Sequence, residues 1–160
     1  MTSRDIICPI TVAKYDELTP EQRELVDAAR GAVEGSYAPY SNFHVGAAIR
    51  LEGGEIITGA NQENAASPSS LCAERTAAYW AGANRKCTPI RAIAIAARDA
   101  TGAEVEVPIS PCGACRQALL EYEALAGAPM QVLLAGRDEI LILPSIQALL
   151  PLGFTPERVM

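Results

Sequence analysis

Apolar positions recur along the chain at two periods, one helical and one of strands. Leu25, Ala28, Ala29, Ala32 and Val33 share one face of a helix that opens at Thr19-Pro20-Glu21-Gln22. Thr19 is its N-cap, Pro20 its first helical residue, Gln22 completes a capping box, and Gly35 is the stop. Phe43–Leu51 and Glu55–Gly59 read as two strands joined through Gly53-Gly54, a hairpin signal. Asn61 to Ser70 is polar and turn-prone. A helix follows from Leu71 to Ala83, capped by Ser69 or Ser70. Ile90–Ala97 is a third strand, rich in Ile and Ala and buried on both faces. Ser110-Pro111 opens another helix, to Leu125. Gln131–Ala135 and Glu139–Leu143 are two more strands. Their link, Gly136-Arg137-Asp138, is too short for a parallel crossover, so they pair antiparallel. A short helix, Ser145–Leu150, precedes the tail. Residues 1–18 are an irregular lead-in, with an added edge strand around Ile6–Val12. The order α-ββ-α-β-α-ββ-α implies an α/β fold, one mixed sheet sandwiched by helices.

Composition narrows this picture. A chain of 160 residues supports a single domain over 1–160 with a sizeable core. Hydrophobic residues make up 49% and charged residues 20%, which argues against disorder. With only two Phe and one Trp, that core is built from Ala, Val, Ile and Leu. The net charge of -6 and the absence of a Lys/Arg run argue against a nucleic-acid partner, whose phosphates demand a basic face. No apolar run is long enough to cross a bilayer, and Met1 to Ile10 has no signal-peptide core. The expectation is a cytoplasmic protein with no membrane partner.

The five cysteines are 8, 72, 87, 112 and 115, an odd count that argues against a disulfide framework. Cys72, Cys112 and Cys115 fall in the first turns of two helices, and Cys112-x-x-Cys115 puts two thiols on one helical face. Thiolates are favoured where the helix dipole is positive. If both helices follow adjacent strands, the three sulfurs converge into a soft, incomplete tetrahedral site that suits zinc and leaves a fourth position open. Three other readings compete. Cys72 could be a buried small hydrophobe. The zinc could be structural, with a fourth ligand from Cys8, Cys87 or His44. Cys112 and Cys115 could be a redox pair. Glu74 decides among them: in a first turn with the metal beyond the helix end, its carboxylate reaches a bound water without ligating the metal, and a structural site has no need of such an acid. Cys72-x-Glu74 with Pro111-Cys112-x-x-Cys115 matches the zinc deaminase signature, with Cys in place of the more familiar His.

Other segments carry the resemblance further. Pro39-Tyr40-Ser41-Asn42-Phe43-His44-Val45-Gly46-Ala47-Ala48, Gly59-Ala60-Asn61-Gln62-Glu63-Asn64-Ala65, Cys72-Ala73-Glu74-Arg75-Thr76-Ala77, Ser110-Pro111-Cys112-Gly113-Ala114-Cys115-Arg116-Gln117 and Leu149-Leu150-Pro151 occur in that order. From Thr19 to Glu157 the chain resembles the cytidine deaminase family of small free-nucleoside enzymes. The resemblance implies a three-layer α/β/α fold with a five-stranded mixed sheet. It implies one Zn²⁺ per subunit on Cys72, Cys112 and Cys115, and a homotetramer, with a homodimer as the alternative. The implied reaction is hydrolytic deamination of cytidine and deoxycytidine to uridine and deoxyuridine plus ammonia. Glu74 then moves protons to N3 of the pyrimidine and to the departing amine.

The same resemblance implies that Asn61 and Glu63 bind ribose hydroxyls. Side chains at i and i+2 of an extended segment point the same way, and an amide with a carboxylate can grip vicinal hydroxyls. Phe43 lies where the family places an aromatic beside the nucleoside. Phe154 matches a C-terminal aromatic that reaches a neighbouring subunit's base. Backbone groups near Ala73 and Ser110 hold the base's polar edge. Three thiolates overcompensate Zn²⁺ by one charge, and hydrogen bonds from Arg75 to a ligand sulfur would withdraw it; Arg116 reads as structural. Ser67-Pro68-Ser69-Ser70 departs from the family's Tyr-Pro-x-Gly, and His44, the only histidine, replaces a frequent Pro. His44 reads as a structural residue away from the motifs, and the altered loop bears on substrate choice. The alternatives are therefore a deaminase of another aminopyrimidine nucleoside or nucleoside antibiotic, and a non-catalytic zinc-stabilised binding protein.

Overall fold

Helix α1 (Pro20–Ala32) begins as its sequence dictates: the Thr19 hydroxyl accepts from the Gln22 N–H at 3.2 Å, and the Gln22 side chain accepts from the Thr19 N–H at 3.0 Å. The computed structural model describes residues 1–155. After β1 (Thr11–Ala13) and α1, the chain runs through β2 (His44–Leu51), β3 (Ile56–Ala60), α2 (Ala73–Asn84), β4 (Ile90–Arg98), α3 (Gly113–Ala126), β5 (Gln131–Ala135) and β6 (Ile140–Leu143). A 3-10 turn at Ile146–Leu149 follows, capped by Ser145. The strands form one mixed sheet in the order β1-β6-β5-β4-β2-β3.

The alternation along β4 explains the layering. Ile93 and Ile95 point to one face and pack with Ile49, Ile57, Leu119 and Leu134 under α2 and α3. Ala92, Ala94 and Ala96 point to the other and pack with Leu25, Val26 and Ala29 of α1. The result is the expected three-layer α/β/α sandwich, with one side thin. A Cβ on Gly46 would collide with the Ala29 carbonyl of α1, so the α1 layer lies directly on the sheet backbone. Gly59 does the same for α2: a Cβ there would stand 2.5 Å from the Ala77 nitrogen and 2.7 Å from the Ala73 oxygen.

Strand direction positions the site. β3 is antiparallel to β2, β2 is antiparallel to β4, and β4 is parallel to β5. β3 and β4 therefore point the same way, and their C-terminal ends share one edge of the sheet. Helix α2 follows β3 and α3 follows β4, so both helix N-termini start at that edge. β2 begins there too, since His44 lies opposite Arg98 at the end of β4.

Four details differ from the sequence expectation. The sheet has six strands, not five, because the lead-in adds β1 antiparallel to β6, with Thr11 opposite Ile142 and Ala13 opposite Ile140. That strand covers Thr11–Ala13 and not Ile6–Val12: Pro9 has no N–H for a ladder, and Ile6, Ile7 and Ile10 stay exposed. Helix α2 starts at Ala73, because Leu71 is held extended by hydrogen bonds in both directions with Gln62, at 2.8 and 2.9 Å. Helix α3 starts at Gly113, with Cys112 extended before it.

A substitution Gly59→Ala should force α2 off the sheet and lower unfolding stability by about 2–3 kcal/mol, read from urea denaturation. An unchanged midpoint would contradict this close packing.

Candidate active site

Cys72 and Cys112 are the N-caps of α2 and α3, both in extended backbone conformation, and neither sulfur caps its own helix. Their carbonyls take the first helical bonds, from the Thr76 and Arg116 N–H groups at 3.0 and 2.9 Å. The two sulfurs thus project past the helix ends, and Cys115 joins them from the first turn of α3. The Cys72 and Cys112 sulfurs are 3.9 Å apart, and all three lie within 4.8 Å of one another. A tetrahedral zinc site with Zn–S of about 2.3 Å has sulfurs about 3.8 Å apart. The donor set is soft, and its spacing fits zinc. Among the described residues no other His, Cys, Asp or Glu joins this group: Cys8 and Cys87 are exposed, and His44 is elsewhere. The reading with four protein ligands therefore finds no fourth side chain.

The electrostatics favour a metal. The Cys72 thiol is lowered to about 5, first by hydrogen bonding with Cys115 and then by Arg75. Cys115, fully buried, is raised by the same bond and by burial. Without a cation the cluster thus holds on to a proton; a divalent ion would displace it. Arg75 donates from its NH2 group to the Cys72 sulfur at 3.6 Å, and the thiolates hold its guanidinium firmly charged. Its Nε is buried with no hydrogen-bond partner. The Arg75 charge is thus directed at the Cys72 sulfur.

Glu74 is the second residue of α2 and is only 4% exposed. Burial pushes its carboxyl above the usual carboxylate range, and the Cys72 thiolate adds to the shift. Glu74 and Cys115 are buried while Cys112 is exposed, so the cluster reaches the surface at Cys112. Ala73 is fully buried at the helix start, where its N–H belongs to the unpaired first turn. Arg116 donates to the Pro111 carbonyl at 2.7 Å, the Ser110 hydroxyl at 2.7 Å and the Leu149 carbonyl at 2.9 Å. It is structural, as expected, and it fixes the loop that carries Ser110 and Cys112.

Asn61 and Glu63 leave the end of β3 at the same edge. The Asn61 side chain accepts from the Val45 N–H at 2.8 Å and donates to the Phe43 carbonyl at 3.0 Å. Glu63 accepts from the Tyr40 and Ser41 N–H groups at 2.8 and 3.3 Å. Hydrogen bonding with Ser41 and Tyr40 lowers its carboxyl. Both residues therefore brace the segment before β2. Phe43 there is half-buried. Phe154 is 63% exposed, and its backbone is gripped by Gln117 of α3. The Gln117 amide donates to the Phe154 carbonyl at 2.7 Å and accepts from its N–H at 3.3 Å.

The sequence matches the family described as the cytidine and deoxycytidylate deaminase zinc-binding region over residues 19–126. The chain belongs to the cytidine deaminase family. It is 38% identical over 137 residues to a cytidine deaminase from Halalkalibacterium halodurans, covering 86% of this chain and 96% of that one. The crystal structure of cytidine deaminase from Burkholderia pseudomallei superposes with a TM-score of 0.70 at 38% identity, over 86% of this chain and all of the other. A blasticidin-S deaminase from Bacillus cereus is 31% identical over 89% of this chain and 98% of its own. The zinc expected from the cysteine pattern is thus a property of the family.

Two features of this deaminase escaped the sequence. His44 lies outside the cysteine cluster but not apart from the motifs, because the Ser36 hydroxyl links it to Asn61. Gln117 lies in the most specific motif, yet its hold on Phe154 needs the fold to be visible. Ser70, in place of a Gly, has φ -60 and costs nothing there; its hydroxyl accepts from the Asn64 N–H at 3.0 Å and closes the altered loop.

Zinc should protect Cys72, Cys112 and Cys115 from iodoacetamide and leave Cys8 and Cys87 open, measured by mass spectrometry with and without chelator. Equal labelling of Cys72 in both states would contradict the three-sulfur site.

Proposed function

We propose that this cytidine deaminase family member hydrolyses free cytidine and deoxycytidine to uridine and deoxyuridine, releasing ammonia. The observation that carries the reading is the buried Glu74 beside three converging sulfurs that reach the surface at Cys112. Zinc, when held by Cys72, Cys112 and Cys115, supplies a Lewis acid that lowers the pKa of water. Arg75 offsets the excess thiolate charge. Glu74 takes a proton from the attacking water and gives it to N3 of the base as the C4–O bond forms. It then carries the remaining proton of the new C4 hydroxyl to the amine, and the C4–N bond breaks to release ammonia and leave a C4 carbonyl. Its raised pKa suits a group that must both accept and return a proton.

Asn61 and Glu63 take the ribose hydroxyls, Phe43 and Phe154 flank the nucleoside, and the Ala73 and Ser110 backbones hold the polar edge of the base. The exposure of Phe154 and Cys112 supports a homotetramer, or a homodimer, in which a neighbouring copy closes the site. The net charge of -6 favours a free nucleoside over a polynucleotide. No helix among the described residues is long and apolar enough to cross a membrane, and the free cysteines suit a cytoplasmic location.

A second reading is deamination of an aminopyrimidine nucleoside antibiotic. The Ser67–Ser70 loop and the likeness to blasticidin-S deaminase favour it. Zinc-loaded protein assayed by ultraviolet absorbance on cytidine, deoxycytidine and blasticidin S separates the two. Cytidine turnover is expected to exceed blasticidin turnover; the reverse order would move the assignment to the antibiotic. Glu74→Gln should lower kcat by about 10²–10⁴-fold with zinc still bound. Near-normal turnover would sink Glu74 as the proton carrier.

A further inference from the structure

We infer that His44 and Ser36 form a positioning relay that sets the Asn61 amide for ribose binding; this rests on the reading that Asn61 contacts the ribose. The donors and acceptors leave one arrangement. The Asn61 Oδ1 faces the Val45 N–H at 2.8 Å, and its Nδ2 faces the Phe43 carbonyl at 3.0 Å. The backbone thus fixes which end of the amide is which. Ser36 Oγ lies 2.6 Å from Asn61 Oδ1, an atom that can only accept, so the Ser36 proton is spent there. Ser36 Oγ also lies 3.0 Å from His44 Nδ1. With its own proton committed, Ser36 must accept, and His44 must carry its proton on Nδ1.

The relay therefore runs from His44 Nδ1–H to the Ser36 hydroxyl to Asn61 Oδ1. Oδ1 then has two donors, Nδ2 has one hydrogen on the Phe43 carbonyl, and the second Nδ2 hydrogen has no protein partner among these contacts. That N–H is what Asn61 can offer a ribose oxygen. Without the hydroxyl and the imidazole, only the two backbone groups restrain the amide. Across the strands His44 faces Arg98, and the Glu63 carboxylate lies nearby. Its neighbours are thus a cation and an anion at the same sheet edge.

His44 is the only histidine, so its ring can be read without ambiguity. Nitrogen-15 NMR of the zinc-loaded protein, recorded across a pH series, should show the Nδ1–H tautomer for the neutral ring. The Nε2–H form would overturn the relay. His44→Leu and Ser36→Ala should each raise KM for cytidine about fivefold, the size of one neutral hydrogen bond, with kcat changed less than about twofold. The double variant should be no worse than either single one. His44→Asn, whose amide nitrogen takes the place of Nδ1, should restore KM. On 2′,3′-dideoxycytidine, which lacks both hydroxyls, His44→Leu should have little effect. Equal KM effects on both nucleosides, or no rescue by Asn, would overturn the relay. An Asn61→Ala variant that raises KM by the same factor on both nucleosides would instead overturn the ribose reading beneath it.

Discussion

Strand direction is the constraint from which the rest of the site follows. β3 and β4 are parallel only because each is antiparallel to the β2 between them. That arrangement brings two helix N-termini to one sheet edge from opposite sides of a single strand. Helix N-termini carry partial positive charge and unpaired N–H groups, so this edge can hold a concentration of negative charge that the rest of an acidic surface could not. The two glycines that let helices rest on the sheet, Gly46 and Gly59, set how closely the parts approach. Gly59 touches α2 within its first two turns, one residue away from the Cys72 cap.

The charge within the cluster is balanced in layers. Three sulfurs and Glu74 would make a cavity of four negative groups if all were ionised. Cys115 and Glu74 are both pushed towards their neutral forms, Cys72 towards its charged form, and Arg75 is held cationic against it. A divalent ion changes that pattern by taking over the role of the shared proton. Among the described residues Arg75 is the cation that hydrogen-bonds a sulfur of the cluster, where it would withdraw charge from a bound metal's thiolates.

Much of this was legible in the chain because the relevant signals are local. The capping box at Thr19, the Gly53-Gly54 hairpin and the spacing of Cys112 and Cys115 each depend on a few neighbouring residues. The alternation of Ile and Ala along β4 even carries the difference between the two faces of the sheet. What was not legible is non-local. Leu71 looks helical by pattern, and only its bridge to Gln62 holds it extended, which makes Cys72 a cap and not a first-turn residue. The short β1 depends on an open edge at β6, which local sequence does not display. His44 looked remote because Ser36 and Asn61, the residues that connect it, are 8 and 17 positions away in opposite directions.

The hold of Gln117 on residue 154 has an evolutionary side. One amide reads the N–H and the carbonyl of a single residue, and both bonds are to its backbone. Anchorage of the tail and identity of the group it presents are thereby independent variables. These two hydrogen bonds require of position 154 only a backbone N–H and carbonyl, so they survive a change of its side chain. The fold thus moors the segment at residue 154 to the same helix whose start carries two of its three sulfurs.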